Sequence, residues 1–209
     1  MNRMARLATI ALAFLMLGTA CGSATTRSGP LSPTATSANS PSSAADRSLT
    51  ASFASRMMGY SVKYPAGWKV TPATATWRHG VTNFWNDPEE DRLDGPSAGF
   101  HGTSQTLAPG QSPTGWIAEY IKSSIPCGTE ELVPVGNQIG TIDLNGCPSH
   151  PGHGGYVGRI YDLAVVAGGR GYNFTMEGQV DHAFFLTMLA AVTFTPETAT
   201  DTIPAASPS

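Results

Sequence analysis

The chain carries little charge and does not cluster it. Of 209 residues, 13% are Asp, Glu, Lys or Arg, and the formal charge is −3. The basic residues are scattered, so no stripe exists that could track a phosphate backbone, and nucleic acid is not expected as a partner. Long apolar runs are scarce as well. A spanning helix needs about 20 apolar residues, and Leu7–Leu17, "LATIALAFLML", is shorter than that. No second run of that length follows, so the mature chain is not expected to cross a membrane by itself. Catalytic motifs are missing too: the sequence has no Gly-x-Ser-x-Gly elbow, no phosphate-cradling glycine loop after a strand and no internal repeat. Cysteine is limited to Cys21, Cys127 and Cys147.

What is present begins with an address. Arg3 and Arg6 precede the apolar run, and Gly18-Thr19-Ala20 leads into Cys21, the layout of an export signal over residues 1–20. "LGTAC" resembles the bacterial lipobox, in which the first mature residue is a cysteine alkylated by a diacylglyceryl group. Thr19, Ala20 and Cys21 match it, and Gly18 stands where an aliphatic residue is usual. Acyl chains contribute about 0.8 kcal/mol per buried CH₂, and two or more anchor stably. A lipidated (palmitate-bearing) Cys21 places the protein on the outer face of the cell membrane. Ordinary cleavage after Ala20 would secrete it instead. Loss of Arg3 and Arg6 takes the charge from −3 to −5, so attachment would be covalent rather than electrostatic.

Residues 21–52 are Ser, Thr, Ala, Pro and Gly with almost no large apolar groups. Such a segment cannot bury enough surface to offset its ordering entropy and reads as a disordered tether. Residues 197–209 read the same way, as a frayed tail. One domain is expected between them, over 53–196.

Within it, Ser112 and Pro113 start a helix, and Trp116, Ile117, Tyr120 and Ile121 fall on one face. A second, amphipathic helix is expected in "VDHAFFLTMLAAV", from Val180 to Val192. The remainder reads as strands. Residues 156–167 and 171–176 flank a Gly168-Gly169-Arg170 turn, with Tyr172, Phe174 and Met176 pointing one way. "ELVPV" and "IGTIDL" flank a second turn. "GYSVKYP" and "WKVT" are read as a third hairpin around Ala66-Gly67, with Tyr60, Tyr64 and Trp68 in the core. "GFHGTSQTL" is a weaker strand, and 76–85 could be another. The fold class is therefore α+β: a single domain with a largely antiparallel sheet packed with two main helices.

In this order and spacing the chain resembles the PsbP-like family. "YSVKYPAGWKV" looks like its opening hairpin, and "GRGYNFTMEG" followed by "AFFLTMLAAVTFTP" is similar to its penultimate strand, last helix and closing strand. Thr193 stands where that pattern more often has Ser. The resemblance spans most of 59–196 and implies an α/β/α sandwich. Its bacterial branch of exported lipoproteins, of the LpqN type, implies an adaptor or envelope factor, and no catalytic residue carries over.

Candidate chemistry is sparse. Cys127 and Cys147 are an even pair in an exported domain, which favours a disulfide closing a loop of about twenty residues, for about 3 kcal/mol. His150 and His153 with Cys147 have metal-like spacing, but a bridged Cys147 cannot also be a thiolate ligand. Asp87, Glu89, Glu90, Asp91 and Asp94 do not follow the spacing of a calcium loop and read as a solvated turn. Asn173-Phe174-Thr175 matches a glycosylation acceptor but sits mid-strand. Trp77, Arg78, His79, Phe84 and Trp85 form a possible binding patch if exposed, and core otherwise. The expected role is non-catalytic binding or adaptor work at the cell envelope, toward an envelope protein or cell-wall component, with no cofactor. Two alternatives stay open: an envelope-modifying hydrolase with an unrecognised site, and a metal-handling factor using His150 and His153.

Overall fold

Period-two alternation builds the sheets, and short turns set their registers. The computed structural model describes residues 47–79, 88–123, 130–143, 147–148 and 158–200. In chain order these form β1 (Ala51–Ser55), β2 (Tyr60–Tyr64), β3 (Lys69–Thr71), β4 (Asp91–Asp94), β5 (Ala98–Thr106), α1 (Pro113–Ser123), β6 (Glu130–Val135), β7 (Gln138–Asp143), β8 (Cys147–Pro148), β9 (Arg159–Ala167), β10 (Arg170–Gly178), α2 (His182–Ala190) and β11 (Thr193–Phe194), followed by a 3₁₀ turn at Pro196–Thr198. All strand pairs are antiparallel. A small sheet runs β1-β2-β11, and a large one runs β3-β4-β5-β10-β9-β7-β6 with β8 against β9. This is the expected α+β class.

Register assigns the two faces of the large sheet. Leu93, Phe100, Met176 and Tyr161 oppose one another across β4, β5, β10 and β9, and the next row places Phe174 beside Leu163 and Leu163 beside Ile142. All seven are buried. This inner face meets α2, whose Phe185 ring lies 6.2 Å from Phe100, and the small sheet, whose Tyr60 ring lies 5.1 Å from Phe174. Tyr60 comes so close that a Cβ on Gly102 of β5 would stand 2.2 Å from its hydroxyl. On the outer face, Trp116 of α1 covers Gly171 of β10, where a Cβ would stand 2.4 Å from the indole. The two helices therefore lie on opposite faces of the sheet.

Caps explain the helix starts. Ser112 Oγ accepts from the Gly115 amide at 3.0 Å, with Pro113 at the first helical position. Asp181 Oδ1 accepts from the Phe184 amide at 2.8 Å and starts α2 at His182 rather than at Val180. Phe184, Phe185, Met188 and Leu189 are buried, but the outward positions are Ala183, Thr187 and Ala190. The helix is apolar or small nearly all round, not strongly amphipathic.

Several expectations are corrected. β2 and β3 are not a hairpin: β2 pairs with β1 and β11, whereas β3 pairs with β4. Pro65-Ala66-Gly67 is a crossover between sheets, and the opening hairpin is β1–β2. "GFHGTSQTL" belongs to a nine-residue central strand, β5. Ala75–His79 is not strand, and 80–85 lies outside the described residues. The acidic run is only in part a turn: Glu89 and Glu90 lie in one, Asp91–Asp94 is β4 with Asp91 1% exposed, and Asp87 lies outside the described residues. The described residues include some on either side of 53–196. Arg47 pairs with Asp181 at 2.6 Å, and the Thr200 amide donates to the Arg56 carbonyl at 3.1 Å.

Candidate functional site

Two groups of side chains on the outer face invite a functional reading. The first is polar. Across four strands Arg92, His101, Thr175 and Asp162 stand in one row, with Glu177 and Asn173 two residues to either side of Thr175. His101 Nδ1 lies 3.5 Å from Glu90 Oε1, and its Nε2 lies 3.8 Å from Glu177 Oε1. Arg92 reaches Asp94 at 3.3 Å and Glu90 at 4.0 Å. Thr175 donates to Asp162 at 2.6 Å, and Asn173 donates to Asp162 at 3.4 Å and to the Leu163 carbonyl at 3.1 Å. Asp162, Thr175 and Asn173 are joined by hydrogen bonds, whereas the buried Arg92 Nε and His101 Nε2 reach neighbouring carboxylates only at ion-pair distance. Glu177 and Asn173 are buried, and among the described residues no set of three His, Cys, Asp or Glu side chains converges to hold a metal. The engaged amide of Asn173 also explains why the glycosylation pattern there has no structural access.

A second ionisable group sits between the sheets. Asp91 Oδ1 accepts from the Ala73 amide at 2.8 Å. Burial pushes its carboxyl above the ordinary range, while hydrogen bonding from Ser55 and from that amide pulls the other way. Burial, with the charge of Asp91 nearby, holds the Tyr60 hydroxyl well above its ordinary value. Tyr172 is pushed up to about 12, also chiefly by burial. Perturbed values mark active sites when they face a cleft. Asp91 and Tyr60 are each 1% exposed and face none. A cavity beside Arg47, Trp68, Pro96 and Phe184 has about 20 Å³, room for a single water.

The remaining group is apolar and open. Leu132 is 71% exposed and Ile139 is 59% exposed, the large hydrophobic residues left in solvent among those described. Register puts them on one face: Pro134 opposes Ile139, and Leu132 opposes Thr141. Thr141 opposes Ala164, which opposes Asn173, so this is the outer face at the sheet's β6 edge. Exposed Glu130 and Glu131 flank it. A hydrophobic patch on an edge hairpin that the described residues leave uncovered is a recognition surface in form. "LVPV" held the signal: apolar residues on both parities exceed what one buried face can absorb.

The sequence-predicted residues divide differently. Trp77 is buried, with its ring 6.3 Å from Tyr120, which in turn stacks on Trp116 at 5.6 Å. His79 is half-buried, its ring 5.1 Å from Tyr120 and its amide donating to Gln105 at 2.8 Å, and Arg78 is exposed. Phe84 and Trp85 lie outside the described residues, as do Cys21, Cys127, His150 and His153. Cys147 is described only as backbone of β8, paired with Ile160.

No family model and no curated protein matches the chain. A solved structure from Bacteroides thetaiotaomicron VPI-5482 is similar at 12% identity and a TM-score of 0.46, over 70% of this chain and 49% of that one. The likeness spans about half of that solved chain and carries neither a family nor an activity across.

Proposed function

We propose that this is a lipid-anchored binding protein of the bacterial cell envelope, held at the outer face of the membrane through Cys21 and acting without catalysis. The observation that supports binding is the paired exposure of Leu132 and Ile139 on one face of the β6–β7 hairpin. The leader and "LGTAC" support the location, and the resemblance to PsbP-like exported lipoproteins supports an adaptor role. The chemistry of the patch favours a protein partner over a cell-wall glycan. Sugars stack on exposed aromatic faces, yet Trp77, Trp116 and Tyr120 are buried, and the large hydrophobic residues exposed among those described are aliphatic.

The test is crosslinking capture from intact cells, comparing the wild type with Leu132→Lys and Ile139→Lys. Loss of an envelope partner in the variants is expected. Equal capture by wild type and variants defeats the assignment of this face. Cys21→Ala with fractionation tests the anchor separately: a variant that stays with the membrane refutes it.

A further inference from the structure

The proposed binding patch lies on a strand whose outer edge is unpaired among the described residues. β6 ends the large sheet. Its hairpin closes through a two-residue turn, Gly136-Asn137, so Val135 and Gln138 form the closing hydrogen-bonded pair. In an antiparallel ladder such pairs alternate. Val133 with Gly140 and Glu131 with Ile142 are therefore bonded within the hairpin, and Glu130, Leu132 and Pro134 turn their main chain outward. The edge offers the amides of Glu130 and Leu132 and three carbonyls.

Edge strands are commonly blunted with proline and charge, and Pro134, Glu130 and Glu131 fit that description. Leu132 does not. A position meant only to repel a neighbouring strand would not leave a leucine 71% exposed between an outward amide and carbonyl. Pro134 sets a limit instead: it ends the donor ladder after Leu132 and keeps the site short. Two exposed glutamates, one on each face of the strand, set the charge of what can approach.

We infer that the outer edge of β6, Glu130 to Pro134, accepts an extended segment of a partner protein as an added strand, with an apolar side chain against Leu132 and a Lys or Arg near Glu130 and Glu131. This rests on the binding role proposed above and specifies its mode.

The probes are three short synthetic peptides: one alternating lysine and valine, its N-methylated form, and one alternating glutamate and valine. Each is added to the mature chain carrying Cys21→Ala, with amide hydrogen exchange read residue by residue. The lysine–valine peptide should slow exchange at the Glu130 and Leu132 amides severalfold, and the other two should not. Glu130→Lys with Glu131→Lys should reverse the preference toward the glutamate–valine peptide. No protection by the lysine–valine peptide, or equal protection by all three, overturns strand addition. Protection that appears only with rising protein concentration assigns the edge to a second copy and overturns it too. So does protection by phosphatidylglycerol vesicles, which assigns the edge to lipid. If Leu132→Lys abolishes partner capture while the peptides protect nothing, the binding face stands and only the added strand falls.

Discussion

The two faces of the large sheet are built from the same strands and reach different solutions. On β10, Tyr172, Phe174 and Met176 face inward, each fully buried, against α2 and the small sheet. Asn173, Thr175 and Glu177 face outward into a polar row, and Gly171 on that side lies under the Trp116 ring. The inner face thus contributes area removed from water, while the outer face contributes it only where α1 packs and elsewhere contributes hydrogen bonds of smaller net worth. The inner face is closed, and the outer face is polar at its centre, with its exposed apolar groups at one edge.

That contrast is broken most severely from inside. Phe174→Ala should cost about 3–5 kcal/mol, the range for deleting a core phenylalanine. Thr175→Val, one residue away on the other face, should cost about 1.5–3 kcal/mol through loss of the bond to Asp162. Denaturant midpoints of the two variants measure the asymmetry directly. Equal losses would mean that the outer face is packed as a core.

The paired glycines sharpen the comparison. Gly102→Ala drives a methyl into Tyr60 on the inner face, and Gly171→Ala drives one into Trp116 on the outer. Both should cost about 1–3 kcal/mol as overpacking. A cost at Gly102 alone would show that α1 can lift from the sheet, which near-ultraviolet circular dichroism of Trp116 would also report.

How much of this was legible in the sequence depended on range. The β9–β10 and β6–β7 hairpins, the α1 cap and the inward stripe on β10 were legible because each is set by residues a few positions apart. The fate of Pro65-Ala66-Gly67 was not. A turn signal says that the chain bends, and the strand it meets next is chosen by packing: here Val70 opposes Leu93, not β2. Asp91 was misread for the same reason. Its neighbours Glu89 and Glu90 read as a charged turn, and only the register with Gly102 puts it beneath Tyr60. The candidate site was half legible. "LVPV" shows an apolar surplus, but which parity stays uncovered depends on where α1 lands, and that is not local information.

Asp91 offers a pH test of the inner seal. A carboxyl whose folded value lies above its unfolded one holds its proton more tightly when folded, so its ionisation opposes folding. This contribution to stability is present at low pH and is lost as pH rises from about 4 through the raised value. Asp91→Asn keeps an acceptor for the Ala73 amide and removes the charge. It should flatten that fall and leave stability at neutral pH equal or higher, as read from denaturation midpoints across the range. Asp181 runs the opposite way: the Phe184 amide and Arg47 hold it low, so its contribution is present above the ordinary aspartate value and fades as pH drops below it. Asp181→Ala should cost about 1 kcal/mol as a lost cap.

The smallest expected effect on stability falls at the edge proposed to bind. Leu132 and Ile139 are mostly exposed, so Leu132→Lys and Ile139→Lys should each move stability by less than about 0.5 kcal/mol. Core positions on the same hairpin, such as Val133 and Val135, are buried and should respond as Phe174 does, on a smaller scale. A patch retained for folding would show the reverse, with stability falling when lysine replaces Leu132. If thermal melts of the two lysine variants overlay the wild type while partner capture is lost, the apolar surplus on β6 and β7 serves recognition, since it contributes nothing measurable to holding the sheet together.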